Sequence, residues 1–158
     1  MADASDFLAL TAAMARPGQP APLFLALQQA LGRHPGHRLF TVMRHDAAAG
    51  FNARIYSSRP AEYPVGGRKQ VRDTAWTRQL LRRGEPFIGY DAADIRATFA
   101  DHELILSLGC ESVLNLPVLW DGRVVGTVNL LAGAGHYQPA MAAPAMALAA
   151  CAAPALLI

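Results

Sequence analysis

Two periods of apolar residues alternate along the chain. Leu23, Leu27 and Leu31 recur every four positions and predict a helix over Leu23–Leu31 with one stripe turned toward a core. Pro22 suits its first position and Gly32 its close. Residues 1–21 read as a lead-in. There Asp6 can open a short helix through Met14, and Pro17-Gly18-Gln19-Pro20-Ala21-Pro22 stops it. His37–Asp46 reads as a strand. After Asp46-Ala47-Ala48-Ala49-Gly50, a second strand runs Phe51–Ser57, with Phe51, Ala53 and Ile55 alternating with Asn52, Arg54 and Tyr56. A period of two predicts one buried face and one exposed face, and the short glycine-ended connection suits a hairpin.

Residues 58–72 form a long irregular segment, of the kind that often carries function. A helix is expected next, with Asp73 as its cap, Arg82 and Arg83 in its last turn and Gly84 beyond its end. Pro86–Gly89 predicts a short strand, and Asp91–Thr98 and Asp101–Leu108 two helical pieces. The sharpest local signal follows: apolar runs Ser112–Leu119 and Arg123–Leu131 meet at Trp120-Asp121-Gly122, and Asp-Gly between such runs predicts a tight antiparallel hairpin. Gly133, Gly135 and Pro139 break the chain before an Ala-rich final helix. Hairpins with helices between them predict an α+β domain, a central antiparallel sheet flanked by helices, over residues 22–158.

Composition narrows the picture. The chain has 158 residues, 53% apolar and 16% charged, which excludes disorder and fits one domain. The net charge of +2 gives no polycation for nucleic acid. Two cysteines, Cys110 and Cys151, have no metal spacing; with an acidic N-terminus they lead us to expect a cytoplasmic protein with free thiols. Residues 140–158 are uncharged and long enough for a membrane span, but mostly Ala with Pro144 and Pro154 inside, so a buried or dimer-forming helix is expected instead.

Charge is unevenly spread. From Arg54 to Arg83, eight basic residues face two acids; from Glu85 to Asp121, seven acids face Arg96 alone. Mutual neutralisation of the two stretches is the expected use. An anion held by Gly66-Gly67 with Arg68 and Lys69 is the alternative.

The run Ser107-Leu108-Gly109-Cys110-Glu111-Ser112-Val113-Leu114-Asn115-Leu116-Pro117-Val118, then Asp121-Gly122-Arg123-Val124-Val125-Gly126-Thr127-Val128-Asn129-Leu130, resembles the second half of a GAF domain. The opening helix and the first hairpin with Phe40 and Tyr56 are similar too. The resemblance implies a GAF/PAS-like fold and a small-molecule sensory or dimerisation module. It puts Val113, Asn115, Thr127 and Asn129 on an inner strand face lining a pocket, with Tyr63, Arg68, Trp76 and Phe99 around it. Phe87 and Tyr90 are candidates for its roof. An amide there can donate to and accept from a ligand; bracing of nearby loop backbone is the competing use.

The expected function is a non-catalytic, cofactor-free sensor of a small polar or anionic metabolite, dimeric through Leu23–Leu31 and Ala140–Leu157, with no metal, membrane or nucleic-acid partner. A pure interaction module is the alternative. A third possibility resembles the GAF-type free methionine sulfoxide reductases, but Val113, Asn129 and Leu131 stand at the positions resembling that family's carboxylates, and the cysteines lie elsewhere. The Cys-His pair of chromophore-binding GAF domains and the Asn-Lys signature of the cyclic-nucleotide subclass are not found.

Overall fold

A computed structural model describes residues 2–158. One six-stranded sheet runs through the molecule. Its strands are β1 (Leu39–Asp46), β2 (Phe51–Ser57), β3 (Arg68–Gln70), β4 (Phe87–Gly89), β5 (Ser112–Trp120) and β6 (Arg123–Ala132), in the order β3-β2-β1-β6-β5-β4. Every neighbouring pair is antiparallel. The Asp121-Gly122 turn folds as expected. Both residues have positive φ, 51° and 70°, the left-handed pair that a two-residue turn needs to match strand twist.

Helices cover both faces. On one lie α1 (Ala4–Met14), α2 (Ala21–Arg33), α6 (Ala142–Ala149) and α7 (Ala153–Leu156). Leu23, Phe24, Leu27 and Leu31 of α2 meet Phe40, Val42, Leu114, Leu116, Val128 and Leu130 of the sheet in one core. On the other lie α3 (Ala75–Thr77), which runs on into a π-helical turn at Arg78–Arg82, then α4 (Ala92–Thr98) and α5 (His102–Ser107). Ile95 and Ile105 pack there with Leu39, Val113 and Leu131.

Several sequence expectations change. The lead-in is part of the packed unit: α1 lies on α2, and Leu10 is fully buried in the main core. An Asp3–Asp6 capping box starts α1, and Asp6 pairs with Arg33 of α2. The 58–72 segment contains the edge strand β3, which pairs with β2. Thr74, not Asp73, caps α3, through a reciprocal bond with Thr77; Asp73 pairs with Arg78 and Arg82 instead.

The Ala-rich stretch 139–156 is long and apolar enough to cross a membrane by composition. In this fold it is broken, with a 3-10 turn at Ala150–Ala152 before Pro154, whose ring cannot follow a regular helical turn. Ala145, Ala149 and Ala152 are buried in the main core, where α6 packs on β5 and α2. The stripe Leu23–Leu31 and the inner face of 140–157 are therefore used within one chain.

Candidate functional site

A cavity of about 530 Å³ lies between the sheet and the α3–α5 layer. β1, β6 and β5 form its floor. Thr41, Asn129 and Asn115 are register partners across these three strands, so their side chains stand in a row on one face. The row is joined by hydrogen bonds. Trp76 Nε1 donates to Asn115 Oδ1 at 3.0 Å, Asn115 Nδ2 to Asn129 Oδ1 at 2.8 Å, and Asn129 Nδ2 to Thr41 Oγ1 at 3.2 Å. The amides thus brace each other and Trp76 rather than loop backbone. Each amide keeps one N–H and one lone pair outside this chain of bonds, so the row can still read a ligand.

Val113, Leu131, Ile105 and Met43 supply apolar wall. Trp76 and Phe99 close one side as an edge-to-face pair with centroids 5.4 Å apart.

The remaining wall is ionic. Arg54, on β2, is buried and faces the cavity. A bulge in the β1–β2 pairing between Val42 and Met43 sets Arg54 opposite Met43, on the cavity face of the sheet. The expected exposed face of β2 is not found: Asn52, Arg54 and Ser57 are buried, and Phe51, Ala53, Ile55 and Tyr56 are half-buried. Both faces of the sheet are covered, so polar parity here means the cavity rather than solvent.

Arg54 stacks on the Tyr63 ring, its guanidinium carbon 3.6 Å from the centroid, and Nη1 donates to the Pro64 carbonyl at 2.8 Å. Asp101, from the α4–α5 connection, accepts from Tyr63 Oη at 2.7 Å and from Lys69 Nζ at 3.0 Å through Oδ2. Arg54 Nη2 stands 3.8 Å from the same oxygen. Burial alone would raise the Asp101 carboxyl, but the Tyr63 hydroxyl and the Lys69 ammonium outweigh it and hold the group below the ordinary carboxylate value. Burial first, then the Asp101 charge, pushes the Tyr63 hydroxyl far up, so Tyr63 stays a donor.

Six of the eight expected site residues line this cavity: Asn115, Asn129, Val113, Tyr63, Trp76 and Phe99. Two do not. Thr127 is buried one step nearer the hairpin tip, where Leu80, Leu81 and Val124 form a separate apolar cluster. Arg68 points away and stacks on Phe51; its neighbour Lys69 takes the cavity side. Gly66 is no anion cradle, because its amide donates to the Arg54 carbonyl. Of the other roof candidates, Phe87 packs beside the α4–α5 cluster and Tyr90 is exposed. Arg54, Asp101, Arg72 and Thr41 were not among the expected residues. The polar parity of Asn52 and Arg54 within an apolar strand hinted at Arg54; the other three carried no local signal.

Neither cysteine lines the cavity. Burial raises the thiols of both Cys110 and Cys151.

No family model and no curated protein matches the sequence. Solved structures do match in fold. The GAF domain of a phosphoenolpyruvate-protein phosphotransferase from Coxiella burnetii superposes with a TM-score of 0.65 at 16% identity, over 98% of this chain and 92% of its own. A GAF domain/HD domain protein from Geobacter sulfurreducens gives 0.66 at 16% identity, over 83% and 87%. The chromophore-binding domain of a bacteriophytochrome from R. palustris gives 0.62 at 13% identity; 93% of this chain spans 57% of that one. The chain folds as a GAF-like domain.

Proposed function

We propose that this domain is a non-catalytic sensor that binds a small polar or anionic metabolite between the sheet and the α3–α5 layer. One observation carries the proposal: a cavity with a hydrogen-bonding floor is lined by three cations, Arg54, Lys69 and Arg72, and a single carboxylate, Asp101. Its size falls within the roughly 300–1,000 Å³ of small-molecule sites. Neither cysteine lines the cavity, which favours binding there over thiol chemistry. Two free thiols are also in keeping with a reducing, cytoplasmic setting.

The signal leaves through the terminal helices. Leu8 on α1 and Leu157 and Ile158 after α7 are exposed, and they are where a second copy or an output partner would pack. Native mass spectrometry of the purified chain reads a co-purified ligand and a dimer together. A co-purified ligand added back is expected to raise the Tm of the wild-type chain and not that of Asn115→Leu combined with Asn129→Leu. Unchanged shifts would mean that the floor is not the site. Thiol-dependent turnover lost in Cys110→Ser would instead make the protein an enzyme.

A further inference from the structure

Arg54 is held in place but incompletely matched. Its side chain is 10% exposed. Nη1 is committed to Pro64, and the Tyr63 ring covers its face. Its Nε is buried without a hydrogen-bond partner among the described residues, and the Asp101 carboxylate stands 3.8 Å from Nη2. Asp101 is the converse case: Oδ2 gathers Tyr63 and Lys69, while Oδ1 is buried without a partner. A guanidinium offers its Nε and Nη2 as a parallel fork to two oxygens of one anion. Here Nη1 is taken and Nε is closed off, so Nη2, loosely facing Asp101, is the donor left for a ligand, in a wall where three cations meet one acid.

The geometry points to a ligand with a flat apolar body and one oxyanion, carboxylate or phosphate, which takes Arg54 Nη2 and the Lys69 ammonium and displaces Asp101 from them. This rests on the sensor function proposed above and names the ligand class for that cavity. The apolar body lies against the Trp76–Phe99 pair, and the spare N–H groups of Asn115 and Asn129 meet any acceptor it carries. Asp101 is then a resident counter-ion. Without ligand it partly neutralises the cations; with ligand it is released, together with the α4–α5 connection that carries it.

Isothermal titration of the full chain with benzoate, phenyl phosphate and benzamide tests this. The two anions are expected to bind at least about tenfold more tightly than the isosteric neutral amide, since a charge-assisted pair adds at least that much. The tighter of the two anions identifies the group as carboxylate or phosphate. Arg54→Gln is expected to abolish the preference. Lys69→Gln, at a half-exposed position, is expected to reduce it about tenfold while the circular dichroism of the variant stays that of the wild-type chain. Asp101→Asn is expected to tighten anion binding by removing the competitor. Benzamide binding as well as benzoate, or Asp101→Asn weakening the anions, would overturn the inference and leave the sensor proposal standing. If none of the three probes binds while mass spectrometry finds a native ligand, the ligand class is wrong. If no ligand of any kind is found and the Asn115/Asn129 variant changes nothing, the sensor proposal itself fails.

Discussion

Asp101 joins the acidic half of the sequence to the basic half. Through one oxygen it meets Tyr63 and Lys69, and it faces Arg54. Because its carboxyl is held below the ordinary 3.8 in the folded chain, its contribution is present above that value and is lost as pH falls through the folded one. Asp101→Asn is therefore expected to lower Tm at neutral pH, with the two proteins converging below about pH 4. Thermal unfolding from pH 7 to pH 3 checks this; a constant gap would show that the charge is not what stabilises. At this scale the site was half legible. Val113, Asn115 and Asn129 could be placed because a two-residue period and a turn fix which way strand side chains point. Arg54 and Asp101 could not. Arg54 owes its aim to a bulge that the two-residue period of β2 does not signal, and Asp101 to a connection between short helices that has no period to read.

Among the elements, the β5–β6 hairpin depends on two residues. Asp121 and Gly122 both occupy left-handed backbone. Gly122→Val places a branched side chain there and is expected to cost about 1–2 kcal/mol. Urea unfolding reads this as a lower midpoint with an unchanged slope. The same hairpin aligns Asn115 with Asn129, so the floor row is formed by the turn as much as by the amides. α3 was expected as a regular helix under an Asp73 cap. The side-chain hydroxyls of Thr74 and Thr77 cap it one residue later, and it passes at once into a π turn. Thr is a weaker signal than Asp in the sequence, and only the bond to Thr77 singles it out.

For the whole molecule, both faces of one sheet are buried, and the two faces do different work. The α1–α2–α6–α7 side is a continuous apolar core, and the α3–α5 side is left partly open as a cavity. α1 belongs to the first. Leu10→Ala removes a fully buried side chain, and a loss of about 2–5 kcal/mol is expected, measurable by thermal or urea denaturation. A loss within error would return residues 2–14 to the status of a loose lead-in. The sequence by itself determined five of the six strands, the order of helices between them and the hairpin that sets two asparagines side by side, because these follow from local periods and turn chemistry. Only the tertiary structure decided that Ala145 and Ala149 seal the chain's own core, and that the polar face of β2 looks into a cavity. It alone brought Arg54 and Asp101 together, 47 positions apart in the chain. Burial and long-range approach depend on what packs above each face, which no local pattern carries.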